Sequence, residues 1–137
     1  MVKMTKYNNT DGKTVLDPED DAVTAAWGSK WRLPSREEIE DLRDSTDAEF
    51  VEINGVNCLK LTDLSDDSKV LIFPCSGYCT YGEISHAEDR GEFHLNGIVS
   101  SNKQYAYDVK FTYDDTITWE SSGWRYIGRT ARGVMNE

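Results

Sequence analysis

The 137-residue chain has no apolar run approaching the ~20 residues that a membrane-crossing helix needs, so no membrane insertion is expected. It has no stripe of Lys or Arg either. Twenty-five acidic residues face 15 basic ones for a net charge of −10, and residues 1–68 carry 16 acids against 8 bases. Such a chain repels phosphate backbones, which argues against a nucleic-acid partner. Its three cysteines, Cys58, Cys75 and Cys79, make no even disulfide framework, and their state stays open. The opening "MVKMTKYNNTDGK" lacks the apolar centre of a secretory signal, so the chain reads as soluble as written or as a piece of a longer secreted protein. No internal repeat occurs. "SSGWRYIG" lacks the Lys and the following helix of a phosphate-binding loop.

Aromatics are plentiful: four Trp, seven Tyr and four Phe. They favour sheet with aromatic packing, within one domain spanning 1–137 after a polar lead-in at 1–12. "DPEDDAVTAAWG" predicts a short helix with Asp17 as N-cap, Pro18 at its first position and Gly28 as its stop. Ser35 and Glu38 form a capping box for a second helix from about Arg36 to about Asp44. The period then changes. Asn54-Gly55 between "FVEI" and "VNCLKLT" predicts a hairpin. "KVLIFP", "YCTYGEIS", "GEFHLNGIVS", "QYAYDVKF", "TITWES" and "WRYIGRTARGV" are further strand or extended-loop candidates. In "QYAYDVKF", Tyr105, Tyr107, Val109 and Phe111 alternate with Gln104, Ala106, Asp108 and Lys110, which predicts one core face and one wet face. Helix, helix, then strands predicts an α+β fold with an antiparallel sheet.

The segments "KTVLDPEDDAVTAAWGSKWRLPSREEIEDL", "NGVNCLKLT", "VLIFPCSGY" and "RYIGRTARGV", in that order from about Lys13 to Val134, resemble the Fibrobacter succinogenes major paralogous domain family. That resemblance implies a C-type lectin-like fold, with two helices followed by an antiparallel sheet and long irregular loops. It also implies an extracellular or cell-surface setting in bacteria, and partner binding rather than catalysis. Two departures stand out. Phe93-His94-Leu95-Asn96 replaces the usual Tyr-Trp-Ser-Ser, and Ala131-Arg132-Gly133-Val134 replaces Val-Arg-Pro-Val.

Catalytic and metal chemistry find little support. Cys75, Cys79, His86 and His94 offer four zinc ligands at the wrong spacing. Asp63, Asp66 and Asp67 read as a solvated acidic turn rather than a calcium site, and "YNNTDGK" fails the EF-hand pattern. Cys79 and His86 are near in sequence, but no third group orients them. The sulfatase-modifying chemistry of some relatives of the fold uses cysteines near the C-terminus, and none follows Cys79. No enzyme, no cofactor and no metal are expected. The same resemblance implies that Arg32, Arg125 and Arg132 are structural bridges from loops to carboxylates or carbonyls, and Trp27 and Trp31 read as core.

What remains is binding. "EFHLNGIVSSNKQYAY" is poorly periodic, and "DDTITWESSGWRY" mixes aromatics with Gly and Ser, the composition of adaptable binding surfaces. The expected partner face runs over Phe93–Ser101 and Trp119–Tyr126, with Phe93, His94, Asn96, Ile98, Ser100, Trp119, Trp124 and Tyr126 as ligand-binding residues. Its ligand would be a protein or a glycan. The residues at 93–100 are also reachable from an Asn-type codon, which suggests a retroelement-diversified variable protein. A spacer domain without its own ligand is the alternative.

Overall fold

Strand replaces helix at Thr46, where helix-capping residues give way to β-branched and aromatic ones, and it dominates from there. The structure, a computed structural model, describes residues 4–136; residues 1–3, which begin the expected lead-in, and residue 137 lie outside it. In chain order come α1 (Ala22–Trp27), β1 (Trp31–Arg32), α2 (Arg36–Ser45), β2 (Thr46–Ile53), β3 (Val56–Asp63) and β4 (Val70–Pro74). There follow β5 (Tyr78–Thr80), β6 (Glu83–Ser85), β7 (Arg90–Ile98), β8 (Tyr105–Thr112), β9 (Thr116–Trp124) and β10 (Val134–Met135). Two three-stranded antiparallel sheets, β2-β3-β4 and β7-β8-β9, are joined by the small pairs β1-β10 and β5-β6.

The capping box at α2 is present. Ser35 Oγ accepts from Glu38 N at 3.2 Å, and the Glu38 carboxylate accepts from Ser35 N at 3.0 Å. Such a cap stabilises the helix by about 1 kcal/mol. α1 begins later than expected, at Ala22 rather than beside Asp17. The Asp17 carboxylate is taken by Lys6 at 2.8 Å and Lys13 at 2.9 Å. Asp21, which is buried, caps instead, accepting from Val23 N and Thr24 N and reaching across to Leu33 N at 2.9 Å. Trp27 is not core. It is 62% exposed and meets Trp31 edge-on at 5.4 Å, because so short a helix buries only Val23.

The core lies between the two large sheets. Leu59 and Leu61 of β3 meet Phe93 of β7 and Phe111 of β8, whose rings stack at 6.0 Å. α2 closes one side by setting Ile39 against Leu95 and Val109.

The expected α+β, C-type lectin-like architecture of two helices followed by a sheet with long irregular loops does not hold. The fold is β-rich, with 46% of the described residues in strand against 12% in two short helices. The physical reason is clearest at residues 93–98, read as part of an exposed irregular stretch. They belong to β7, the outer strand of its three-stranded sheet, which is nonetheless bonded along both edges. β8 takes one edge. On the other, His94 N, Asn96 N and Ile98 N donate to the carbonyls of Thr130, Pro34 and Thr14 at 3.0, 3.0 and 2.7 Å. A buried backbone must be paired, so contacts distant in sequence make this a strand whatever its side-chain period. The wet face expected of β8 is also covered, with Asp108 at 0% and Ala106 at 6% exposure. Tyr7 of the lead-in and Leu16 just after it pack over Ala106 and Ile98.

Candidate binding face

The eight residues expected to bind a ligand are scattered by this topology. Phe93 and Ile98 are buried in the core, and Trp119 packs against the same core. Asn96 is half-buried, and its backbone is tied to Pro34 and Leu16. Ser100 is exposed in the turn after β7. Four of the eight, His94, Ile98, Trp124 and Tyr126, come together along a groove of about 740 Å³ also lined by Tyr7, Leu33 and Arg125.

Trp124 belongs to a longer feature. β8 and β9 pair Tyr105 with Trp124, and their rings meet at 4.5 Å. Trp124 stacks on Tyr126 at 5.9 Å, and Tyr126 lies 6.3 Å from Tyr81. The result is a ladder of four rings ending in Tyr81, which is 95% exposed. Tyr81 sits at the tip of the β5-β6 hairpin with φ of 50°, followed by Gly82 at 82°. Two positive φ angles in a two-residue loop make a type I′ turn, whose first position favours Asn, Asp or Gly. A tyrosine there is strained by about 1–2 kcal/mol.

At the foot of the ladder lies a basin of about 320 Å³, lined by Tyr78, Tyr105 and Trp124 together with Arg90, Lys110 and Ser122. Its floor is a buried ion cluster. Arg129 Nε lies 3.1 Å from Glu92 and 3.0 Å from Asp108, with all three side chains at 5% exposure or less. The same guanidinium donates to the carbonyls of Trp124 and Ile127 at 3.1 and 3.4 Å, holding the turn that carries Tyr126 against the sheet. Gly123 makes room for it, since a Cβ there would stand 2.1 Å from the Arg129 Nη2.

The sequence reading missed Tyr81, Glu92, Asp108 and Arg129. The one local signal was an acid at 108 within a strongly β-forming run. His94 lines the neighbouring groove as a neutral imidazole, its pKa drawn down to about 4 chiefly by burial and secondarily by the Arg129 charge.

Metal ligands do not gather where the sequence offered them. Among the described residues, the one group of three or more His, Cys, Asp or Glu with ligand atoms within 4.8 Å is Asp17, Glu19 and Asp20. The Lys6 ammonium already sits among those carboxylates and holds all three well below the usual carboxylate range. Asp63 and Asp66 are engaged by Ser65 and Ser68 in local turns. His86 pairs with Asp89 and stacks on Tyr78.

No family model, curated protein or solved structure matches the chain. No helix among the described residues is long and apolar enough to cross a membrane.

Proposed function

We propose that the chain is a non-enzymatic binding module whose partner face is the ladder Tyr105–Trp124–Tyr126–Tyr81 and the polar basin at its foot. One observation carries this reading. Tyr81 holds an almost fully exposed side chain on a backbone that disfavours it, beside a second exposed tyrosine. Folding gains little from such a ring, and strain kept at an exposed position points to use outside the fold.

The ligand class that fits best is a glycan. A sugar ring offers a C–H face that lies flat on an aromatic ring, and its edge hydroxyls find donors and acceptors in Arg90, Lys110 and Ser122. A surface-exposed bacterial or phage-associated setting belongs to the same proposal. Diversification of residues 93–100 does not, because Phe93, Leu95, Gly97 and Ile98 are buried.

A glycan array probed with the chain, followed by titration of tryptophan fluorescence with each oligosaccharide captured, tests the proposal. Tyr81→Ala and Tyr126→Ala should each weaken binding by about tenfold, with the urea midpoint unchanged or higher. Capture of protein but not glycan, lost in the same variants, would keep the face and change the ligand. Capture of neither leaves the spacer reading.

A further inference from the structure

Between the two large sheets, beside α2, lies a cavity of about 380 Å³. Well-packed interiors seldom hold voids larger than a water, whereas ligand pockets begin at about 300 Å³. Leu59, Leu61, Phe73, Leu95, Val109 and Phe111 give it apolar walls. Three ionisable side chains also reach it: Glu38, His94 and Arg132.

Their states differ. The Glu38 carboxylate is already bound by Arg32 and by the Ser35 backbone. His94 is neutral near pH 7. Arg132 is the charge left over. Its guanidinium lies 4.8 Å from the centre of the Phe73 ring and donates one N–H to the Ile72 carbonyl at 2.7 Å. Of its five N–H donors, four have no partner among the described residues. Arg132 is exposed as well as lining the cavity, so it marks the opening to solvent.

We propose that this cavity takes the alkyl chain of a straight-chain monocarboxylate, with Arg132 holding the carboxylate at the opening. The planar fork of a guanidinium matches a carboxylate in two-point geometry, and the apolar walls match the chain. A methylene displaces about as much as a water, about 30 Å³, so the cavity has room for about a dozen. The site is separate from the aromatic ladder and does not depend on it.

The test is a titration of the intact chain with a series from hexanoate to tetradecanoate, each below its micelle concentration, read by calorimetry and by methyl NMR. Affinity should tighten by about fourfold per added CH₂ and stop improving near dodecanoate, where the cavity is full. The methyl signals of Leu59, Leu61 and Leu95 should move, while that of exposed Leu64 should not. Dodecanol should bind at least about tenfold more weakly than dodecanoate. Arg132→Gln should erase that preference while leaving dodecanol binding intact. Arg132→Lys, which keeps the charge, should retain most of it, and Tyr81→Ala should change nothing. Failure of any carboxylate to saturate, or shifts confined to exposed positions, would overturn the proposal. So would equal affinity for acid and alcohol in the parent chain.

Discussion

Arg129 Nε lies 3.0 Å from Asp108 Oδ2 in a site where neither side chain is more than 1% exposed, yet no hydrogen bond joins them. The Nε–H points to Glu92 instead, at 3.1 Å. Asp108 therefore receives charge from Arg129, and from Lys110 at 3.6 Å, without a directed donor. The cluster is balanced in number and unequal in quality.

That inequality orders the mutants. Arg129→Met leaves two buried carboxylates facing each other and releases the carbonyls of Trp124 and Ile127, so it should destabilise by about 3–5 kcal/mol. Asp108→Asn removes the acid that has no hydrogen bond to lose, so its penalty should be about 1 kcal/mol or less. Urea denaturation of the two variants checks the order. A larger loss for Asp108→Asn would mean that the carboxylate is bonded after all.

Tyr81 should trade stability for function. Replacing it with Asn, which tolerates the left-handed backbone of a type I′ turn, should raise unfolding free energy by up to about 1 kcal/mol. The same change removes the outermost ring of the ladder and should weaken ligand capture. A variant that is both more stable and equally competent to bind would remove Tyr81 from the partner face.

How much of this was legible depended on how far each group's partner lies along the chain. The Ser35–Glu38 box and the Asn54-Gly55 hairpin satisfy themselves within a few residues, and their spacing shows it. The start of α1 was misread because Lys6, Lys13 and the Leu33 amide decide between Asp17 and Asp21. "GEFHLNGIVS" stays open between strand and extended loop in the sequence because the second edge of β7 is completed by Thr14, Pro34 and Thr130, from three other parts of the chain. In the binding face, Trp124 and Tyr126 were legible as aromatics beside Ser and Gly. Tyr81 was not, since its exposure and backbone strain are tertiary facts. Nor was Arg129, whose acids lie 21 and 37 residues upstream.

The thiols should separate by reactivity. Burial raises the pKa of Cys58 and pushes that of Cys75 up to about 11, so both stay protonated and shielded at pH 8. Cys79, on the short strand β5, is only half-buried. Brief treatment of the native chain with iodoacetamide at pH 8 should label Cys79 first, with Cys58 and Cys75 reacting only once urea unfolds the chain. Peptide mass spectrometry reads the order directly. Early labelling of Cys75 would show that the core around Leu59 and Phe93 opens locally.

His94 sets a pH dependence whose sign follows from its burial. Its pKa falls from an ordinary 6.5 to about 4 in the fold, so between those values the unfolded chain binds a proton that the folded chain refuses. Stability should therefore fall as pH drops from about 6.5 towards 4, by up to about 3 kcal/mol, and this contribution should level off below that. The carboxylates held low by lysine and arginine, such as Asp17, Asp20 and Glu38, lose their contribution only further down, as pH passes below their usual range. The two effects thus occupy different windows. Thermal melts from pH 7.5 to 4.5 should show the slope in the parent chain, and His94→Gln should flatten it. A slope that survives in His94→Gln would assign the titration to another group and place the imidazole in contact with water.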